Sequence, residues 1–294
     1  IGITDYLRPD SETHLPLEYT TLAEMFRKAG YATGMTGKWH LSGYKSAGAK
    51  EETLPDRHGF DEVMVSEKVG IGGGSYWHPY VHVDSSIHPR LPGEREYLTD
   101  RLNLEAVEFI ERHRDEPFFL YKSHYAVHTR LDGKPELVEY FAKKHESDAV
   151  DKSRVNNPEL AAMLKVVDDG VGMILAKLDE LGLAERTIVV FTSDNGGETR
   201  VTTNAPLRAG KSTTYEGGIR EPLVIRWPGV VCPGSVCSTP TMNIDFYPTF
   251  TEIVGGRLPE EKIDGVSIIS LLKGGSIARD TLFWHYPLAK PHFL

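Results

Sequence analysis

The feature that most constrains the fold is a pattern that occurs three times: an amphipathic helix, a short apolar strand, and then a polar segment. The first helix is predicted within residues 19–30, where apolar residues recur at helical spacing and Thr21 with Glu24 forms a capping box. The strand predicted at residues 31–36 follows directly. This alternation is typical of α/β proteins, and we expect a three-layer sandwich with a mostly parallel central sheet.

The other two copies of the pattern are longer. In the third copy, Asn157 and Pro158 are the predicted N-cap and first residue of a long helix, and Gly182 ends it. Residues 44–92 are rich in Gly, His and Pro and are assigned to loops. The remaining predicted elements are helices at residues 98–110, 158–181 and 245–254, and strands at residues 117–122, 187–192 and 223–227.

The composition is that of a globular protein and argues against nucleic-acid-binding and membrane-spanning proteins. Hydrophobic residues make up 40% and charged residues 26% of the 294, as in ordinary globular domains. The formal net charge of -9 argues against a nucleic acid as partner. No apolar run reaches the roughly 20 residues that a membrane-spanning helix needs.

Ligands of parallel α/β sheets bind at the carboxyl ends of the strands, where this chain has its polar segments. Asp194 and Asn195 follow the third strand and precede two glycines. A carboxylate and an amide oxygen suit a hard cation such as Ca²⁺ or Mg²⁺. An Asp-Asn-Gly sequence is also a common Asx turn, so the pair alone does not define a metal site.

The first two polar segments carry candidate acid–base groups. Lys38 and His40 share the end of the first strand and are suited to bind an oxyanion and move a proton; a pair of solvated side chains is the alternative. His124 and His128 have the spacing of helical zinc ligands, but the glutamate of H-E-x-x-H is missing and the segment follows a strand. We therefore favour His128 as a general acid.

Two further patterns do not define a site by themselves. The GKS run at residues 210–212 is like the end of a phosphate-binding loop, but Ala205 stands where that loop has its first glycine. Cys232 and Cys237 flank a Pro-Gly turn, and the sequence leaves open whether they form a disulfide or stay as two thiols.

Three runs in a fixed order resemble the type I sulfatases, the formylglycine-dependent arylsulfatase family. They are GKWHL at residues 37–41, SDNGG at residues 193–197 and LRAGKSTTYEGG at residues 207–218, with His128 in the interval that the family uses. The resemblance covers about residues 15–255. It implies an alkaline-phosphatase-like fold and hydrolysis of a sulfated carbohydrate or aryl sulfate at one calcium ion, with Mg²⁺ as the alternative.

The resemblance also implies roles for individual residues. Lys38 and Lys211 would hold the sulfate oxygens, and Asp194 and Asn195 would be metal ligands. These cations and the metal would stabilise the charge that develops on the peripheral and leaving oxygens during the reaction.

Two histidines complete the implied chemistry: His128 protonates the departing alcohol, and His40 removes a proton from the hydrated aldehyde so that sulfate is expelled. The family's formylglycine arises from Cys or Ser in a C/S-x-P-S-R motif, which does not occur in these 294 residues. We therefore expect residues 1–294 to be a single sulfatase catalytic domain truncated at the N-terminus and at the C-terminus. The nucleophile is expected upstream, and this chain alone is expected to be inactive.

Two rival functions stay open at this point. One is a non-catalytic homologue that binds sulfated glycans, and the other is a phosphoesterase of the same superfamily. Such phosphatases tend to bind two zinc ions and to carry Asp-His where this chain has Asp194-Asn195. The resemblance further implies export to the periplasm, lysosome or medium and a sulfated small molecule or glycan as partner, whereas the oligomeric state is not determined by the sequence.

Overall fold

A computed structural model describes most of the chain, namely residues 14–43, 52–66, 75–80, 90, 95–146, 155–260 and 263–284. The chain divides into two compact units. Unit A comprises Leu7–Gly182, and unit B comprises Leu183–Leu294 with Ile1–Tyr6. The expectation of a single domain over residues 1–294 stays a prediction.

Helices and strands alternate along the chain, as the sequence predicted. The helices are α1 (Leu22–Lys28), α2 (Leu98–Arg112), α3 (Pro135–Glu146), α4 (Pro158–Glu180), α5 (Glu216–Ile219), α6 (Phe246–Ile253) and α7 (Ile269–Leu272). The strands are β1 (Ala32–Gly37), β2 (Glu62–Met64), β3 (Phe118–Ser123), β4 (Val189–Thr192) and β5 (Leu223–Arg226).

Both predicted helix starts are confirmed by their hydrogen bonds. At α1 the Thr21 side chain accepts from the Glu24 N–H, and the Glu24 carboxylate accepts from the Thr21 N–H. At α4 the Asn157 Oδ1 accepts from the N–H groups of Glu159 and Leu160 at 3.1 and 3.3 Å. These caps satisfy backbone donors that an α-helix leaves unpaired in its first turn.

Unit A contains a parallel sheet in the order β2-β1-β3, covered on both faces. On one face Phe26 of α1 stacks on Phe119 with ring centroids 4.4 Å apart. On the other face Phe109 of α2 lies so close to Gly34 that a Cβ there would be 2.4 Å from the ring. Glycine at this position lets the helix approach the strand, and the predicted three layers form.

Helix α4 packs on α2 through a second close contact. The Asn103 Nδ2 donates to the Val166 carbonyl at 3.1 Å, and a Cβ on Gly170 would lie 2.0 Å from Asn103 Oδ1. Around this contact lies an apolar core cluster of unit A, which includes Tyr76, Tyr97, Leu98, Leu102, Tyr125, Met163 and Val166.

Three features differ from the sequence expectations or add to them. Strand β2 and a 3₁₀ turn at Pro55–His58 lie inside residues 44–92, which were assigned to loops; the rest of that assignment falls partly outside the described residues. Strand β2 is only three residues long and is defined by its backbone pairing with β1, so it has no periodicity to detect. Helix α3 was not predicted.

Unit B contains β4 and β5, which pair antiparallel, with Thr192 opposite Leu223. Near the start of α6, Asp245 is fully buried and accepts two hydrogen bonds from the Arg279 guanidinium, at 2.6 and 2.8 Å. Cys232 and Cys237 are both free and exposed. In the part of the chain that the structure describes, no helix combines the length and apolar character needed to cross a bilayer.

Candidate active site

The polar segment that begins at the end of β1, at residues 37–41, leaves the sheet through a backbone turn. Gly37, the last residue of β1, has φ 98°, and His40 has φ 56°. A left-handed conformation is costly for histidine and is found mostly where surrounding structure enforces it, often at functional sites. The Lys38 N–H donates to the Ser123 carbonyl at 2.9 Å, which ties this turn to the end of β3.

This turn corrects one step of the sequence reasoning. The side chains of Lys38 and His40 were expected to point the same way because alternate residues of an extended strand do so. Strand β1 ends at Gly37, so that alternation does not extend over them. Trp39 between them is held instead by tertiary contacts: its Nε1 donates to the Thr53 carbonyl at 3.2 Å, and its ring lies 5.3 Å from that of His58.

His128 lies in the turn that follows β3, and its ring orientation is fixed locally. Its Nδ1 is 2.5 Å from the Thr129 carbonyl oxygen. A carbonyl oxygen only accepts hydrogen bonds, so Nδ1 carries a proton and Nε2 is the nitrogen that gains or loses one. The Tyr76 hydroxyl binds the carbonyls of Tyr125 and His128, each at 2.9 Å, and clamps the turn.

The aromatic residues that support this turn were not found by the sequence analysis. Tyr76 and Tyr97 are almost completely buried, and the Tyr97 hydroxyl donates to the Asp132 carbonyl at 2.8 Å. Trp77 donates to the Asp132 carboxylate at 3.1 Å. Burial raises the pKa of both tyrosines above its ordinary value, so they act as neutral hydrogen-bond donors.

Two further basic residues of unit A at the end of β3, Lys122 and His124, are partly buried, and their Nζ and Nδ1 atoms are inaccessible to solvent. Burial lowers the pKa of Lys122 to about 7. Burial, with a further contribution from the charge of Lys122, lowers the pKa of His124 to about 3. The sequence analysis considered His124 only as a zinc ligand and did not single out Lys122. No group of three or more His, Cys, Asp or Glu side chains placed to hold a metal occurs among the described residues.

In unit B, the Asp194-Asn195 turn follows β4 directly. The pairing of β4 with β5 ends at Thr192 and Leu223, so Asp194 lies two residues after one strand and Glu221 two residues before its partner strand. The Glu221 Oε1 is buried and has no hydrogen-bond partner among the residues described. Burial and then the charge of Asp194 raise the pKa of Glu221. The sequence analysis missed Glu221, since no local pattern relates it to Asp194.

One asparagine ties this turn to the loop that carries Lys211. The Asn204 Oδ1 accepts from the Gly197 N–H, and its Nδ2 donates to the Gly197 carbonyl, both at 2.9 Å. The same Nδ2 also reaches the Ala209 carbonyl at 3.1 Å, and the Lys211 N–H donates to the Gly197 carbonyl at 3.1 Å. The backbones of the predicted metal-ligand turn and of Lys211 therefore belong to one loop cluster.

Close backbone contacts explain why this cluster needs its glycines. A Cβ on Gly196 would lie 1.8 Å from the Gly217 carbonyl oxygen, so no larger residue fits there without moving the backbone. Ala209 and Ser212, on either side of Lys211, have φ 62° and 66°. Two non-glycine residues held in the left-handed region mark this loop as one whose conformation is enforced by its surroundings.

The structure thus brings the six predicted site residues into two groups, one in each unit. In unit A, Lys38, His40 and His128 follow neighbouring strands that are hydrogen-bonded to one another. In unit B, Asp194, Asn195 and Lys211 belong to the Asn204-bridged loop cluster. The roles of these residues stay a prediction.

A parallel sheet covered by helices on both faces, with polar turns after its strands, defines a three-layer α/β protein. Its likeness to solved structures identifies the fold as alkaline-phosphatase-like. The family model for Sulfatase matches residues 2–256. The chain belongs to the sulfatase family.

Individual relatives agree with this assignment. A sulfatase from Formosa agariphila is 40% identical over 214 residues, which are 67% of this chain and 38% of that protein. Arylsulfatase A from Homo sapiens is 33% identical over 96% of this chain and 57% of its own length. The crystal structure of Ps i-CgsB in complex with k-i-k-neocarrahexaose matches with a TM-score of 0.75 and 30% identity, over 94% of this chain and 62% of that chain. The chain spans about half the length of the curated relatives it matches.

Proposed function

We propose that this protein hydrolyses sulfate esters and that its substrate is a sulfated carbohydrate or an aryl sulfate. Membership of the sulfatase family supports the reaction class, and the relatives named above include an arylsulfatase and a protein crystallised with a neocarrahexaose. The observation that carries the proposal is the Asn204 bridge, which joins the Asp194-Asn195 turn to the loop of Lys211. A carboxylate–amide pair and a lysine in one loop cluster suit a metal and an anion bound side by side.

The residues of this turn fit a hard cation such as calcium. Asp194 and Asn195 offer a carboxylate and an amide oxygen, and the Glu221 carboxylate, which feels the charge of Asp194, has a buried oxygen unpartnered among the described residues. Two carboxylates close enough to interact repel each other, and a cation bound between them removes that cost. We assign the metal to Asp194 and Asn195, with Mg²⁺ as the alternative to Ca²⁺. A divalent ion bound there would neutralise charge on sulfate oxygens.

The proposal gives each lysine and histidine a role of its own. Lys38 and Lys211 bind sulfate oxygens as fixed cations, which stabilises charge in the transition state more than in the ground state. His128 donates a proton to the departing alcohol from Nε2, because its Nδ1 proton is engaged by the Thr129 carbonyl. His40 accepts a proton during release of sulfate, in a position that its left-handed backbone fixes.

The nucleophile is the remaining requirement. We place a formylglycine outside these 294 residues, because they contain no C/S-x-P-S-R motif, and we treat residues 1–294 as part of one larger catalytic domain. The formylglycine would supply the attacking oxygen. The proposal also includes export of the protein, as in the family that its motifs resemble.

Sulfate binding by the 294-residue chain tests the cationic part of the site without requiring turnover. We expect the melting temperature to rise saturably with sodium sulfate relative to sodium gluconate at equal ionic strength. The rise should be lost in Lys211→Ala and kept in Lys143→Ala, which changes a lysine with a 71% exposed side chain. An equal melting temperature in both salts contradicts the proposal.

Turnover and metal content then separate the rival functions in the full-length gene product. Release of sulfate from 4-nitrophenyl sulfate, abolished by Lys38→Ala, supports a sulfatase. Calcium at one equivalent agrees with it, whereas zinc at two equivalents with release of phosphate from 4-nitrophenyl phosphate supports a phosphoesterase. Saturable sulfate binding with no turnover of either ester supports a glycan-binding homologue.

A further inference from the structure

Three buried polar side-chain atoms belong to residues at the ends of β1 and β3. They are Thr36 Oγ1, Lys122 Nζ and His124 Nδ1, and none has a hydrogen-bond partner in the described part of the chain. Buried polar atoms in native proteins are nearly always paired, and an unpaired buried ammonium is among the most costly groups. Three such atoms together point to a ligand.

The strand register places two of these side chains, those of Thr36 and Lys122, on the same side of the sheet. Thr36 and Lys122 are direct partners in the parallel pairing of β1 with β3, so both project to one face. His124 follows two residues after Lys122, and its pKa responds to the charge of Lys122. The three groups therefore form one cluster inside unit A, here called the Lys122 cluster.

The chemistry of the Lys122 cluster selects an anion. An ammonium offers three donors, a hydroxyl offers one, and a neutral imidazole protonated at Nδ1 offers another. Burial lowers the Lys122 pKa, and no carboxylate among the described residues contributes an opposing shift. A bound water could accept some of these hydrogen bonds, but only an anion also compensates the charge.

We propose that Thr36, Lys122 and His124 hold a compact monovalent anion of halide size. The Lys122 nitrogen is closed off from solvent, so an acidic group attached to a substrate cannot reach it without rearrangement. The anion pairs with the Lys122 ammonium and accepts hydrogen bonds from the Thr36 hydroxyl and the His124 N–H. It stabilises the ends of β1 and β3, which carry Lys38 and lead to His128.

Thermal unfolding of the 294-residue chain in different sodium salts tests this site. At constant ionic strength, replacing gluconate by bromide should raise the melting temperature of the wild type saturably. Lys122→Met should lose this response, Thr36→Val should move its midpoint to higher bromide concentration, and Lys143→Met should respond like the wild type. Equal melting temperatures in bromide and gluconate, or a full response in Lys122→Met, would overturn the proposal.

Crystals soaked in sodium bromide give a second readout that does not depend on stability. An anomalous scattering peak within about 3.5 Å of Lys122 Nζ is expected for the wild type and not for Lys122→Met. A wild-type crystal without that peak at molar bromide also overturns the proposal. Neither experiment involves sulfate, Lys38 or Lys211. Failure of the proposed anion site therefore does not affect the proposed function, and failure of the proposed function does not affect the proposed anion site.

Discussion

Replacing Lys122 by methionine should make the protein more stable at neutral pH in a halide-free buffer. Burial lowers the pKa of this lysine from 10.5 to about 7. Between these values the unfolded chain binds the proton more strongly than the folded chain, so protonation favours unfolding. Methionine has a similar length and no charge, so the Lys122→Met side chain carries no such penalty.

The size of the effect follows from the two pKa values. Linkage converts them into a cost of about 4 kcal/mol at pH 7, which falls toward zero as the pH approaches 10.5. Folding stability of the wild type should therefore rise with pH across this window, and the advantage of Lys122→Met should shrink over the same window. Since other groups also titrate there, the difference between the two proteins is the informative quantity.

Urea unfolding in sodium gluconate at several pH values between 7 and 10 measures this difference. With an m-value of about 3 kcal/mol/M, the expected advantage at pH 7 is a midpoint shift of about 1 M or more. Lys143→Met, in which an exposed lysine paired with Glu139 is lost, should shift the midpoint only slightly at any pH. A Lys122→Met protein that is no more stable than the wild type at pH 7 would refute the reasoning.

Three further substitutions, one of them with Gly172→Ala as its control, test other contacts. Arg279→Met leaves Asp245 buried without its partner and should cost about 3–5 kcal/mol in urea unfolding. Gly196→Ala places a Cβ 1.8 Å from a backbone oxygen, so it should destabilise unit B and abolish sulfate binding. In the control Gly172→Ala, in helix α4, the added Cβ has no atom within 4 Å. This control should therefore gain up to about 1 kcal/mol of stability. Tyr76→Phe removes the hydroxyl bound to two carbonyls and should cost about 1–3 kcal/mol, measured by thermal unfolding.

Each of these has a result that contradicts it. A wild-type midpoint for Arg279→Met would show that the ion pair contributes nothing net. Sulfate binding by Gly196→Ala at wild-type affinity would show that the loop cluster does not support the anion site. An unchanged melting temperature for Tyr76→Phe would show that this clamp does not hold the turn of His128.

Local sequence signals were sufficient for the main elements of the fold. The capping box at Thr21 and the Asn157-Pro158 start were predicted correctly because a cap depends on side chains within three residues of the helix end. Strand β2 and the antiparallel pairing of β4 with β5 could not be obtained this way. Pairing joins residues distant in sequence, and a three-residue strand carries almost no periodicity.

The candidate site likewise has features that the sequence predicts and features that only the tertiary structure provides. The motifs and their spacing can be read directly from the sequence, and they predicted Asp194, Asn195 and Lys211 as site residues. That the Asn204 side chain joins their loops, and that Glu221 feels the charge of Asp194, follows only from the tertiary structure. A motif fixes which residues are present, whereas register fixes which of them become neighbours.

The sequence by itself determined the α/β alternation and the family, and it supplied the six site residues that stay a prediction. Tertiary structure alone decided the environment of each polar group: the left-handed turn at His40, the clamp of Tyr76 on the turn of His128, and the burial of Lys122. The physical reason is that helix caps and apolar periodicity act over a few residues of chain. Desolvation and pKa depend instead on every atom packed around a group, including atoms from distant parts of the sequence.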